Sequence, residues 1–377
     1  MLEMEEQYRR RWRANPDAMY FDENGLDSQL LAATVAAASA LSATEPCTVA
    51  LLENATICSA IIFQRWAEKL REASSKKGGN GVLLLDVCYK AVLYAARAMC
   101  EPAGGRIHLS PVPFPGTTHE AVLDALDVSL RATRPRFALL DHVASQPALV
   151  LPLQEMVRLC REHGVEEVGV DAAHAVGMLD ASEYDVEAIG SDFYYCNLHK
   201  WAFAPPAVAV MHGNQEAMES MRHVVPSWHV GSGLSRESRW VGTRDYASFQ
   251  AVPHALAYLN KWRSEEGLTA PAYNAVGWRD AAAMLCDAWS VELPASSDCS
   301  ASMGMVPLPR ALDLSNDLPG QPSAGVRAVL RERYGIEAAV GGFGEDGGFL
   351  RLSHAVYNTD EDFARLRDAV LELCRTP

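Results

Sequence analysis

Six short runs rich in Val, Leu and Tyr, separated by stretches with helical spacing, constrain the fold of this chain more than any other feature. They are Val82 to Val87, Arg106 to Val112, Phe137 to His142, Val168 to Asp171, Asp192 to Cys196 and Val208 to His212. Between several of them, residues 59–73, 89–100, 119–131 and 153–163 space apolar and charged residues as a helix does, and a further helix is expected over Asp27 to Leu41. Strands this apolar need cover on both faces. The alternation supplies it, so the pattern predicts a mostly parallel sheet sandwiched by helices. After Pro253 the texture changes, with helical spacing to about residue 290, a Pro/Ser-rich stretch from Ala295 to Pro309, then Ala311 to Val340 and the glycine cluster Gly341 to Gly348. A chain of 377 residues exceeds one core. The expectation is an α/β protein with a large domain over residues 1–258 and a smaller C-terminal α+β domain over residues 259–377. Neither repeats nor heptads interrupt this plan.

Charge narrows the partners. With 48 Asp and Glu against 33 Lys and Arg, the formal charge is −15, which disfavours nucleic acid and acidic membrane surfaces. Any phosphate site must therefore be built locally. The nine cysteines, at 47, 58, 88, 100, 160, 196, 286, 299 and 374, are scattered and mostly sit in apolar runs. They read as reduced, buried thiols of an intracellular protein. The opening residues show no apolar signal core, and no run approaches the roughly 18 apolar residues of a membrane span. A cytoplasmic location is expected.

Asp171 and Lys200 carry the chemistry. Asp171 opens Asp-Ala-Ala-His at the end of one apolar run, and Lys200 lies in Asn197-Leu198-His199-Lys200-Trp201 at the end of another. Strand ends of an α/β sheet meet in the crevice where ligands bind. A carboxylate facing a pyridinium nitrogen and a lysine able to form an imine are the protein groups that pyridoxal 5'-phosphate needs most. Lys200 would hold the cofactor and then act as the base for a Cα proton. Asp171 would pair with the protonated pyridine nitrogen, and His174 would stack on the ring or bond to its phenolic oxygen.

Other residues complete the expected site. Asn54-Ala55-Thr56 stands between the apolar Thr48 to Leu52 run and a helix-like stretch, so its free backbone N–H groups suit a phosphate. Tyr89 is placed to lay its ring over the cofactor, Ser145 to reach its phenolic oxygen, and the Gly242-Thr243 turn to touch phosphate. Arg351, in an apolar run, must pair with a protein carboxylate or bind that of a substrate. Singly, each has a plainer reading as a surface lysine, a helix cap, a structural histidine, a core aromatic or a turn residue. For Lys200 company reverses the plain reading, and at Asn54 to Thr56 capping and phosphate binding are compatible. Cys299 is a candidate mobile nucleophile of the kind that takes up sulfur as a persulfide, but nothing nearby in sequence supplies the cationic surroundings that would lower its pKa.

Taken together these stretches resemble the class V aminotransferase family of fold type I pyridoxal phosphate enzymes. The likeness is to its isopenicillin N epimerase-like branch, which includes cysteine desulfhydrases and sulfoxide lyases of ergothioneine synthesis. Asn54-Ala55-Thr56, Ala91 to Ala95, Pro113-Phe114-Pro115, Leu140 to Ser145, Asp171 to His174, Asn197 to Trp201, Gly242 to Asp245 and Arg351 to His354 follow the family order. The resemblance implies a homodimer with cofactor sites near the subunit interface and the Gly242-Thr243 turn reaching the partner's phosphate. It further implies an imine at Lys200, a pyridine contact at Asp171, a phosphate contact at His199 and carboxylate recognition by Arg351. Some positions depart from the pattern. Ala172 stands where glycine is usual, Ile57-Cys58 replace small residues, and Gln146-Pro147-Ala148 replaces a Ser-Pro-Thr-Gly/Ala turn. The family opens with a short strand and a His-Gly-Ser/Thr loop, and this chain is expected to begin downstream of it. The expected activity is C–S bond lysis of L-cysteine or a cysteine conjugate or sulfoxide. Epimerisation or transamination of an amino acid are the alternatives, as is a non-catalytic binding or regulatory protein on the same fold.

Overall fold

A computed structural model describes residues 26–73, 79–312, 314, 325–342 and 348–375. The expected N-terminal boundary and most of the glycine cluster after Gly342 lie outside the described residues.

Strands β1 (Val49–Leu52), β2 (Gly81–Leu85), β3 (Arg106–Ser110), β4 (Phe137–Asp141), β7 (Glu167–Asp171), β8 (Phe193–Asn197) and β9 (Ala209–Gly213) form one sheet of order β1-β9-β8-β7-β4-β2-β3. The pairs β8–β7, β7–β4, β4–β2 and β2–β3 are parallel, and β9 runs antiparallel to both neighbours. Since β9 is reversed between β1 and β8, β1 points with the parallel set. The carboxyl ends of six strands therefore share one edge. The chain leaves β2 for β3 on one side and returns to β4 on the other, which places the switch in strand order between β2 and β4.

Burial follows the pleat. In β2, Leu83 and Leu85 join the core beneath the Leu26–Ala40, His119–Thr133 and Leu153–Glu162 helices, while Val82 and Leu84 join the core beneath Ala55–Ala73 and Lys90–Cys100. Every residue of β1, β2, β4, β7, β8 and β9 is buried, so both faces are covered as the sequence implied.

A second sheet, order β10-β12-β11, is antiparallel and built from Met303–Pro307, Gly348–Ser353 and Ala339–Gly342. Its core is shared with the Ala270–Trp289, Gly325–Tyr334 and Asp360–Leu373 helices through Trp278, Leu285, Val306, Leu350 and Val370. Strand β10 lies inside the Pro/Ser-rich stretch from Ala295 to Pro309. Its Met-Gly-Met-Val core is buried and pairs along β12 at one edge of that sheet. The Val252–Lys261 helix straddles residue 258 and packs on the Leu26–Ala40 helix. A short hairpin of β5 (Val143–Ser145) and β6 (Ala148–Val150), joined across the cis Gln146-Pro147 bond, was not foreseen in the sequence. It carries Ser145 away from the end of β4 toward the second sheet.

Candidate active site

Loops at the shared carboxyl edge bring the expected residues together. The sharp turn out of β8 places Leu198–Trp201 in a single helical turn, and Gly177 makes room for it. A Cβ on Gly177 would lie 2.3 Å from the Trp201 carbonyl oxygen, and its φ of +87° suits glycine. Lys200 Nζ thereby comes 2.9 Å from His174 Nε2, and Trp201 Nε1 donates to His174 Nδ1 at 3.1 Å.

This triad fixes a protonation state. An indole N–H can only donate, so His174 Nδ1 is the acceptor and its ring proton sits on Nε2. Burial, then the charges of Lys200 and Arg351, hold the imidazolium far below the usual histidine range, so the ring is neutral. His174 Nε2–H then points at the Lys200 nitrogen, a contact that favours the neutral form of Lys200. Its pKa is lowered by burial, with Arg351 adding to the effect while Asp171 and Cys196 oppose it.

Asp171 is 6 % exposed and accepts a hydrogen bond from Ala173 N–H at 3.0 Å. Burial raises its pKa, countered by the Ala173 N–H, the Lys200 charge and the Tyr195 hydroxyl. In the next strand Asp141 lies in register with it, 5 % exposed, and burial together with Asp171 pushes its carboxyl well above the usual range. Two carboxylates cannot both ionise in so dry a place. Asp141 keeps its proton and Asp171 supplies the single negative charge.

The helix start at Asn54 is partly spent. Asn197 Oδ1 accepts from Ala55 N–H at 2.9 Å, and Asn54 Oδ1 accepts from Ile57 N–H at 3.0 Å. The expectation that Ala55 offers its N–H to a phosphate is corrected by the Asn197 contact. Thr56, with its N–H and hydroxyl, is the donor left at this end. His199 Nδ1 lies 2.9 Å from Val208 O and 3.3 Å from Val208 N, and its Nε2 would donate to a phosphate oxygen when the ring carries a proton there. Arg351 Nη1 donates to Ser145 O at 3.0 Å; no ion pair to a carboxylate is formed by Arg351 among the described residues. Its guanidinium is half-buried within electrostatic reach of Lys200 and His174. It is a cation in want of an anion.

These residues suit pyridoxal phosphate. A lysine whose pKa is lowered, one buried carboxylate with spare acceptor capacity, a helix start with a free donor and a guanidinium that pairs with no carboxylate among the described residues match an aldehyde, a pyridinium, a phosphate and a substrate carboxylate. The family model of class-V aminotransferases matches residues 1–270. The chain belongs to the class-V aminotransferase family. An L-cysteine desulfhydrase of Arabidopsis thaliana is 33 % identical over 396 residues, covering all of this chain and 85 % of that protein. The isopenicillin N epimerase of Streptomyces clavuligerus is 32 % identical over 274 residues, covering 66 % and 63 %. Among solved structures, the cystine C-S lyase C-DES in complex with cysteine persulfide aligns with a TM-score of 0.68 at 18 % identity, covering 93 % of this chain and 90 % of that one. The apo cysteine desulfurase of Thermococcus onnurineus NA1 gives 0.71 at 14 % identity, covering 93 % and 84 %. These structures establish the shared fold.

Other expected members of this class-V aminotransferase site sit less centrally. Tyr89, which ends the β2 loop, is 57 % exposed, so it is an open ring at the crevice edge and not a core aromatic. Ser145 meets Arg351 through its carbonyl, a contact set by the hairpin and unlike the expected hydroxyl contact to the cofactor. Gly242 accepts at its carbonyl from the Tyr246 hydroxyl at 2.8 Å, and Arg244 pairs with Glu53. The Gly242-Thr243 turn is thus tied beside the Asn54 helix start of its own chain. Cys299 is fully buried, and burial raises its thiol, which argues against a mobile nucleophile. Asn197, Trp201 and Asp141 received no role in the sequence reading. All three carry a hydrogen-bonding group at a strand end or within four residues of one, and that position was the available signal.

Proposed function

We propose that this protein is a pyridoxal phosphate-dependent C–S lyase that eliminates sulfide from L-cysteine or a cysteine conjugate. The contact of Lys200 with His174, itself held by Trp201, beside the buried Asp171 is the observation that carries the reading. When bound, the cofactor supplies an electron sink for the Cα carbanion. Asp171 would hold the ring nitrogen protonated, Thr56 and His199 would grip the phosphate, and Arg351 would orient the substrate carboxylate. Lys200 would take the Cα proton. The Cβ–S bond then breaks, the sulfur leaves with the bonding pair as hydrosulfide, and the released enamine hydrolyses in water to pyruvate and ammonia.

Likeness over the full chain to proteins named L-cysteine desulfhydrases supports elimination over epimerisation. The likeness to the epimerase covers a smaller part of the chain. Purified protein incubated with pyridoxal phosphate and L-cysteine is expected to release sulfide, pyruvate and ammonia in equal amounts. Bound cofactor with D-cysteine as the sole product would give the site to epimerisation, and bound cofactor without turnover to a binding role.

The working unit we propose is a homodimer, in which the Gly242-Thr243 turn also faces the partner's phosphate. Val225, Trp228 and Val230 form an exposed apolar stretch suited to burial between subunits. Light scattering after gel filtration measures the state directly. The division of the chain near residue 258 and a cytoplasmic location belong to the same proposal. The location is supported by nine free cysteines. No helix among the described residues is long and apolar enough to cross a membrane.

A further inference from the structure

We propose that His119, Asp298 and Cys299 form a second binding site, for one zinc-like divalent cation, that clasps the start of the His119–Thr133 helix to the C-terminal segment. One ligand atom from each residue lies within 4.8 Å of the others. The donors are an imidazole nitrogen, a carboxylate oxygen and a sulfur, a set that favours zinc over magnesium or calcium.

Backbone pairing prepares the cluster. Gly116 N–H donates to Pro294 O at 2.7 Å, Ser296 N–H donates to Thr117 O at 2.9 Å, and Thr117 bridges Ala295. Two segments far apart in sequence are thus locked side by side before any ion arrives. His119 is oriented as a ligand is. Its Nε2 lies 3.3 Å from Val150 O, a carbonyl that can only accept, so Nε2 carries the ring proton. A ligating histidine commonly donates its other N–H in this way.

Nδ1 is left facing Asp298 Oδ2 at 3.2 Å. A ring protonated at Nε2 turns its Nδ1 lone pair toward that carboxylate, the arrangement that a cation between them would complete. Cys299 adds the third donor: its thiol lies 3.9 Å from Thr117 O, a weak contact that a metal–sulfur bond would replace. Ser296 Oγ bonds to Asp298 and lies 3.3 Å from Cys299 Sγ, holding both donors in place. Asp298 is exposed, which opens a way in for an ion, and Cys299 closes the inner side. Three protein ligands leave a fourth position to water. As the metal–sulfur bond forms, the Cys299 thiol proton passes to solvent.

Chelator-treated full-length protein should be titrated with CoCl2, reading the visible bands of tetrahedral Co2+ that lie away from cofactor absorption, and then back-titrated with ZnCl2. The expected result is one equivalent of thiolate-ligated Co2+, displaced by Zn2+. His119→Ala and Cys299→Ser are expected to weaken binding by more than about 100-fold, and Cys47→Ser, which alters an exposed thiol, to leave it intact. Absence of the bands in the wild-type protein overturns the proposal and leaves a His–Asp ion pair. Bands that persist in Cys299→Ser overturn it as well. The wild-type titration decides even if a variant fails to fold.

Discussion

Strand β7 begins at Glu167 and ends at Asp171, and the two carboxylates are equally buried, 5 % and 6 % exposed. Glu167 is satisfied on every side. Arg65 Nη2 donates at 2.8 Å, Lys69 Nζ at 2.6 Å and Trp66 Nε1 at 2.8 Å. Asp171 has one backbone N–H, with Lys200 and Tyr195 nearby. The amino edge of the sheet therefore spends its charges on itself, and the carboxyl edge holds them in reserve. A buried charge short of partners costs stability. Its presence at the edge where six strand ends converge marks the place where a ligand completes the structure.

Exchanging each carboxylate for its amide tests that contrast most strongly. Glu167→Gln is expected to destabilise the fold by about 3–5 kcal/mol, because Arg65 and Lys69 lose their shared anion in a dry setting, with turnover per folded molecule nearly unchanged. Asp171→Asn is expected to do the reverse, lowering kcat/KM about 10³-fold with unfolding free energy unchanged or higher. Denaturant melts and a sulfide assay on both variants read the two quantities. Equal stability losses at both ends would erase the distinction.

A pH effect of somewhat smaller size follows from His142, beneath the carboxyl edge. Burial pushes its imidazole down to about 4, so the ring is neutral in the fold and takes up a proton more readily when unfolded. The unfolded chain then binds more protons below about pH 6.5, and stability falls as pH drops from there through 4. The share of His142 is about 3 kcal/mol. Unfolding curves across that window should be flatter for His142→Gln than for the wild type; parallel curves would show that His142 does not titrate in this way.

Arg351→Ala sharpens the comparison at the substrate end. A charged hydrogen bond of about 1.5–3 kcal/mol predicts KM for L-cysteine to rise about 10–100-fold, with kcat changed much less. A fall in kcat at constant KM would instead make Arg351 a support for the Ser145 hairpin.

Much of this contrast was legible in the sequence, because apolar strands with polar termini announce both the sheet and its working edge. The six runs match β2, β3, β4, β7, β8 and β9 to within two residues at each end, and Asp171, His174, Lys200 and Arg351 converge as expected. Contacts between distant segments were not legible. Asn197 takes the N–H of Ala55 across 142 residues, and no local pattern encodes that bond. The β5–β6 hairpin is too short for periodicity to register, and β10 is masked by the prolines and serines around it. Asp171 was legible from its place at a strand end, but that Glu167 is surrounded by cations shows only in the fold.

Lys200 gives the most direct test of the account. Purified protein loaded with pyridoxal phosphate, reduced with borohydride, digested and mapped by mass spectrometry is expected to carry one pyridoxyl group per chain, on Lys200. Lys200→Ala is expected to carry none. An adduct on another lysine, or one that survives in Lys200→Ala, would contradict the claim that Lys200 at the carboxyl edge is the lysine that takes the cofactor.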